Sequence, residues 1–287
     1  MAGPHLGRRA GARERGRVCL SRETAVTQTA LITGGSSGIG LALSRRLAGR
    51  GWRLLWASLS EDEIAAARGD ILTAHPDAVI SGLALDLAAP DAPARVLDWA
   101  QGQGGCDLLI NNAGFGVYGP SADLALEAEQ AMIAVNICAL HALTRLFLPV
   151  MEARGGGTIV NIASNSAFVP APDLAVYAAT KAFVKHYSEA LTAELEEANS
   201  PVRVMTVCPS AISDTPFLKR AGMEGVRTFT SFTATTAEEV ARDIIEGLDN
   251  KRPFVLTGAA MRRAMWLMKL APAPVLRWMT RRETRRV

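Results

Sequence analysis

Short apolar runs alternate along residues 28–258 with longer segments whose apolar positions return at helical spacing. The runs Thr29–Thr33, Arg53–Ala57, Val79–Leu85, Asp107–Asn111, Thr158–Ala163, Val202–Cys208 and Phe254–Leu256 read as buried strands. Between them, about 38–50, 61–74, 91–102, 122–153, 174–199 and 236–249 read as helices. Gly51, Gly104–Gly105 and Gly155–Gly157 punctuate the helix-to-strand turns. Strands that alternate with helices are the signature of parallel crossover units, so the pattern predicts an α/β protein with one doubly wound parallel sheet. No internal repeat or low-complexity linker interrupts it.

Length and composition are consistent with this. The chain has 287 residues, 49% hydrophobic and 21% charged, which allows a sizeable core and excludes wholesale disorder, a coiled coil or a collagen-like chain. Three parts are expected: a flexible basic arm over 1–27, the folded body over 28–258, and a basic, apolar tail over 259–287. Charge is distributed unevenly among them. The arm carries six Arg and two Glu, and residues 262–287 carry seven Arg, one Lys and one Glu, so the +3 total hides ends at +4 and +7 and a body at −8. An acidic body argues against nucleic-acid binding, which needs a basic folded face.

The arm lacks an apolar signal-peptide core, and it has more acids and fewer Ser than a transit peptide. No run approaches eighteen uninterrupted apolar residues, so no spanning segment is expected. Cys19, Cys106, Cys138 and Cys208 lie far apart with no Cys-x-x-Cys pair, which predicts free thiols, a reducing cytoplasmic compartment and no metal site. In the tail, Ala264, Met265, Trp266, Leu267, Met268 and Leu270 adjoin Arg262, Arg263 and Lys269, ahead of Pro272, Pro274, Val275, Leu276, Trp278 and Met279. Such a stretch reads as a helix over a pocket or a subunit partner; the alternative is peripheral membrane contact.

Candidate chemistry begins where the first strand meets Thr33-Gly34-Gly35-Ser36-Ser37-Gly38-Ile39-Gly40 and a helix follows. Glycines permit a tight turn and close backbone approach to a pyrophosphate, whose charge the free N–H groups of the helix start stabilise. Further along stand Asp86, Asn111-Asn112-Ala113-Gly114, Asn136, Ser164 and Tyr177-Ala178-Ala179-Thr180-Lys181, in that order. Tyr177 and Lys181 are one helical turn apart on one face. A tyrosine titrates near 10, and an adjacent ammonium lowers that value; a drop of about three units, roughly 4 kcal/mol, would make it a usable acid or base near neutrality. Ser164 stands at a strand's carboxyl end, where open α/β sheets bind ligands, although a turn Ser there is commonplace. No Gly-x-Ser-x-Gly elbow accompanies His5, His75, His141 or His186, which excludes the usual hydrolase arrangement.

This ordered set resembles the short-chain dehydrogenase/reductase family over about residues 28–250. The resemblance implies a Rossmann-type, seven-stranded fold and an NAD(P)-dependent oxidoreductase with catalytic Asn136, Ser164, Tyr177 and Lys181. Tyr177 would exchange the proton, Ser164 would polarise the oxygen, Lys181 would hold the cofactor ribose, and Asn136 would join a water-linked relay to Lys181. It implies cofactor contacts from Gly34, Ser36, Ser37, Gly38, Ile39, Gly40, Ser58, Asp86, Leu87, Asn112, Ala113, Gly114, Tyr177, Lys181, Pro209 and Thr215. It also implies a homodimer or homotetramer paired through the helices at 122–153 and 174–199.

The second strand runs into Ser58-Leu59-Ser60 with neither an acid for a ribose hydroxyl nor a base for a 2′-phosphate. The missing acid favours NADP(H) over NAD(H). Pro209-Ser210 stands where the family has Pro-Gly, which puts the local backbone in doubt and leaves a silent nucleotide-binding sensor as the alternative to an enzyme. Phe217, Leu218, Met223, Val226, Phe229 and Phe232 make the segment 217–235 apolar, which suits a lipophilic ketone or aldehyde and its alcohol; packing of a lid is the plainer reading of the same residues.

Overall fold

The computed structural model describes Met1, Gly3, residues 28–268 and residues 272–286. Apart from Met1 and Gly3, the expected arm with Cys19 lies outside the described residues, as do Lys269 and Leu270 of the tail. Seven strands form one parallel sheet: β1 (Thr29–Thr33), β2 (Arg53–Ser58), β3 (Ile80–Ala84), β4 (Leu108–Asn111), β5 (Gly157–Ile162), β6 (Val202–Cys208) and β7 (Phe254–Leu256). Their order is β3-β2-β1-β4-β5-β6-β7, so chain direction across the sheet reverses between β1 and β4. The doubly wound expectation holds.

The crossover helices are α1 (Gly38–Ala48), α2 (Glu61–Ala74), α3 (Ala92–Gly102), α4 (Leu126–Ile133), α5 (Leu140–Ala153), α6 (Ala175–Glu197), α7 (Phe217–Arg220) and α8 (Ala237–Asp249). Alternate strand residues serve opposite faces, as a pleated strand requires. Ala30, Ile32, Leu54 and Trp56 join Leu43 and Leu47 of α1 and Ile244 of α8, whereas Leu31, Leu55, Leu109 and Ile159 join Val96 of α3 and Leu143 and Phe147 of α5. Both faces being covered explains why the strands read as continuous apolar runs.

The helix expected over 122–153 begins only at Leu126 and is interrupted by a π-helical segment, Ala134–Ala139, between α4 and α5. Residues 126–153 are long and apolar enough to cross a membrane, and half of that window is buried inside the fold. The expectation of no such segment counted uninterrupted apolar residues, and so passed over this helix. The tail folds into α9 (Ala259–Met268) and α10 (Ala273–Glu283).

Candidate active site

A cleft of about 670 Å³ opens at the carboxyl edge of the sheet, over the point where strand order reverses. Hydrogen bonds from neighbouring strands stitch that point together. The Thr33 hydroxyl donates to the Ile110 carbonyl at 3.4 Å and accepts the Asn112 and Ala113 N–H groups, each at 2.9 Å. The Asn112 amide donates back to the carbonyls of Thr33 and Gly34. Gly34 and Gly38 have φ of +64° and +52°, the left-handed region that side chains resist. A Cβ on Gly40 would strike the Gly34 carbonyl, and one on Gly35 would strike the buried Trp56 indole. Trp56 is itself fixed by donating to the Ser44 hydroxyl at 2.9 Å.

The loop delivers the start of α1 without a cap: Ser37 makes no side-chain capping bond, and the first turn has no acid. At α8, by contrast, Thr236 and Glu239 close the terminus with a full capping box. Uncapped N–H groups on the cleft wall, beside glycines that keep it bare, fit an anionic pyrophosphate. Of the residues expected to contact a cofactor, all but Gly40 line the cleft. Gly40 lies behind the wall, where it lets α1 approach the loop.

Ser164, Tyr177 and Lys181 converge on one wall. Ser164 follows β5 by two residues and starts a short turn, Asn165–Phe168. Its hydroxyl accepts the Ser166 N–H at 3.1 Å and donates to Asn165 Oδ1 at 3.2 Å, so the capping role and the cleft position coexist. Lys181 is buried and donates to the Ile162 carbonyl at 2.9 Å, with Nζ 5.9 Å from the Tyr177 ring centroid. Burial without an acidic partner lowers Lys181 to about 8. Burial also pushes Tyr177 up to about 12, against the opposing pull of the Ser164 hydroxyl. The expected lowering of Tyr177 by its neighbour is therefore corrected: burial sets the direction, and the one opposing pull comes from Ser164.

Asn136 sits in the π segment and is buried. Its amide donates to the Phe115 carbonyl at 2.9 Å and to Thr180 Oγ1 at 3.1 Å, and its oxygen accepts the Phe115 N–H at 3.1 Å. It makes no direct hydrogen bond to Lys181 among the described residues. A Cβ on Gly114 would lie 2.9 Å from Asn136 Oδ1 and 3.3 Å from Lys181 Nζ, so the two groups flank the same glycine. Asp86 faces the cleft and accepts the Ala88 N–H at 2.8 Å. Ser210 is buried without strain: its N–H donates to Thr257 Oγ1 at 3.2 Å, and its hydroxyl pairs with Thr235 Oγ1 at 2.7 Å. The extra side chain thus ties the segment after β6 to the stem of the lid.

The far half of the cleft is apolar. Phe217, Met223 and Phe229 of the lid and Met261, Met265 and Met279 of the tail line it. The tail then straps the lid. Arg227 N–H donates to the Arg285 carbonyl at 3.0 Å, Val226 bridges Arg286, and the Tyr118 hydroxyl donates to the Thr284 carbonyl at 2.6 Å. Phe232 departs from the expected apolar lining: it is at the rim and 84% exposed.

Sequence reasoning missed two groups in the cleft, Glu63 on α2 and Arg220 on α7, which form an ion pair across its mouth. Their separation of 157 positions leaves no local signal. It also missed the buried network Asn111, Thr144, Asn161 and Ser188 beneath the cleft.

The sequence model described as short chain dehydrogenase matches residues 28–225. The chain belongs to the short-chain dehydrogenase/reductase family. Among its relatives, 1-deoxy-11-beta-hydroxypentalenate dehydrogenase of Streptomyces avermitilis is 35% identical over 237 residues, covering 80% of this chain and 84% of that protein. Among solved structures, a short-chain dehydrogenase from Sphingobium yanoikuyae in complex with NADPH superposes with a TM-score of 0.73 at 29% identity, over 85% of this chain and 96% of that one. A bulky-bulky ketone specific alcohol dehydrogenase from Comamonas testosteroni does so with a TM-score of 0.69 at 26% identity, over 85% and 95%. This short-chain dehydrogenase is accordingly an oxidoreductase that acts on CH–OH groups with a nicotinamide cofactor.

Proposed function

We propose that the protein interconverts a lipophilic ketone or aldehyde and its alcohol with NADP(H), and that Tyr177 is the acid and base. The observation that carries this reading is the position of Tyr177, on the wall shared by the bare nucleotide loop and the apolar chamber. The residue set fits the cofactor: uncapped α1 N–H groups for the pyrophosphate, and at the end of β2 a buried Ser58 hydroxyl with no partner among the described residues. When bound, the reduced nicotinamide supplies a hydride.

The chain's own residues supply the rest. In the reductive direction Ser164 donates a hydrogen bond to the carbonyl oxygen, and Tyr177 gives its proton to that oxygen as negative charge develops. Held up near 12 by burial, Tyr177 carries its proton at neutral pH, the form that the reductive direction requires. Lys181 and Asn136 flank Gly114, where Lys181 would hold the cofactor ribose and Asn136 would join a water-linked relay to it. The bulky-bulky ketone specificity of the Comamonas testosteroni enzyme and the Met- and Phe-lined chamber support an apolar substrate. The NADPH bound in the Sphingobium yanoikuyae relative supports the cofactor choice. Exposed Ile133 on α4 and Phe183 on α6 support pairing between subunits through those helices.

Replacing Tyr177 with Phe tests the reading. Turnover of an apolar ketone should fall by about a thousandfold, within the range of a lost acid–base group, with NADPH affinity nearly unchanged. Retained turnover would remove Tyr177 from the role. A silent sensor would show NADPH binding and no turnover in the parent enzyme; the strainless seating of Ser210 takes away the feature that favoured it.

A further inference from the structure

Among the described residues lining the cleft, two carry a permanent or titratable cation, Lys181 and Arg220. They stand far apart. Lys181 is bonded to the end of β5, whereas Arg220 reaches Glu63 on the helix that follows β2, with β1 and β4 lying between those strands in the sheet. The carboxyl end of β2 is where this fold receives the adenosine ribose. The neighbouring positions Ser36, Ser37, Ser58, Leu59 and Ser60 carry no charge, while Glu61, Asp62 and Glu63 fill the first turn of α2. A 2′-phosphate there would meet repulsion unless a cation were brought to it.

We propose that Arg220 is that cation: carried by the lid and resting on Glu63, it transfers to the 2′-phosphate of NADP(H). The inference rests on the cofactor reading above and adds the residue that performs the discrimination.

Three features support the exchange. First, the side chains of Arg220 and Glu63 are 53% and 38% exposed, so the pair is screened by water and weak enough to exchange. Second, a phosphate dianion offers the guanidinium fork a stronger, bidentate partner than one carboxylate oxygen does. Third, Ser58 lines the same end of the cleft with an unpartnered hydroxyl, free to satisfy a further phosphate oxygen by turning about one torsion. The exchange also connects the two halves of the cleft. Phe217, at the other end of the four-residue helix α7, has its ring 5.7 Å from that of Tyr177. Fixing Arg220 on the cofactor thus fixes the aromatic wall beside the proposed acid.

The experiment measures binding rather than turnover, using full-length protein titrated calorimetrically with NADPH, NADH and 2′,5′-ADP. Arg220→Met should weaken NADPH and 2′,5′-ADP tenfold or more, about 1.4 kcal/mol, and leave NADH within twofold. Arg220→Lys, which keeps the charge without the fork, should fall between. Glu63→Gln should tighten NADPH by removing the competitor. Equal weakening of all three nucleotides by Arg220→Met would assign Arg220 to the pyrophosphate or to lid stability and overturn the proposal, as would no change in any of them. If the parent protein bound NADH but not NADPH, the cofactor reading itself would fall; parent NADPH binding indifferent to Arg220 would sink the inference alone.

Discussion

The nucleotide loop and the substrate chamber meet at Tyr177, yet they are held in opposite ways. At the loop, a strand end, three glycines and the next strand's Asn112 fix the backbone by contacts within one sheet edge. Around the chamber, the lid is closed by residues brought from the end of the chain, such as Tyr118 against Thr284, 166 positions apart. The loop is constrained because a Cβ at Gly35 or Gly40 would strike neighbouring atoms, while Gly34 and Gly38 hold a positive φ that side chains resist. The chamber is enclosed by side chains that can be exchanged, and by methionines that adapt to varied shapes. A rigid half for an invariant cofactor and an adaptable half for a variable substrate follow from that difference.

The largest way to sharpen the contrast is to remove the strap. Ending the chain after Gly258 takes away α9 and α10, and should lower kcat/KM for an apolar ketone about a hundredfold, near 3 kcal/mol, while NADPH affinity stays within threefold. Met265→Asp in the full chain should act in the same direction without the truncation, since Met265 is buried in the chamber wall. Equal loss of nucleotide affinity would show that the halves are not separable.

Lys181 stands at the junction and offers the next effect. Its folded-state value, about 8, lies below the ordinary 10.5, so the fold holds the charged form at a cost at neutral pH. Lys181→Met should therefore raise stability at pH 7, by at most roughly 3 kcal/mol, while abolishing turnover. Between pH 8 and 10.5 the unfolded chain binds more protons at this site than the folded one, so wild-type stability rises relative to the variant and the gap closes. Denaturant titrations at pH 7 and pH 10 read this out; a gap independent of pH would show that lost packing, not charge burial, governs the site.

A smaller test belongs to the loop. Gly40→Ala should cost roughly 1–3 kcal/mol of stability and weaken NADPH binding, because a methyl there meets backbone that cannot step aside. Gly69→Ala in exposed α2, where a Cβ meets nothing, should instead stabilise by about 0.5–1 kcal/mol. Thermal unfolding of the pair separates a conformational glycine from an incidental one.

Much of the cofactor half was legible before the fold was known. Gly34, Gly38 and Gly40 follow a strand and open a helix, and their roles are local to that turn. Tyr177 and Lys181 share a face because four residues make one helical turn. What could not be read was the direction of the Tyr177 shift, because it depends on how much water the surrounding elements exclude. Asn136 was visible as a polar residue in an apolar run, but its partners Phe115 and Thr180 come from different elements. Ser210 looked like a defect in a motif, and only the proximity of Thr235 and Thr257 makes it a tie.

By itself the sequence determined the alternating α/β order, the bare phosphate turn, the Tyr177–Lys181 face and the family, since each depends on neighbours within a few residues or on the order of such groups. The tertiary structure alone decided that the tail closes the chamber, that Arg220 meets Glu63, and that burial rather than charge sets Tyr177. These depend on residues a hundred or more positions apart being brought together and on the water they displace, and neither distance in space nor exclusion of solvent is written in local spacing.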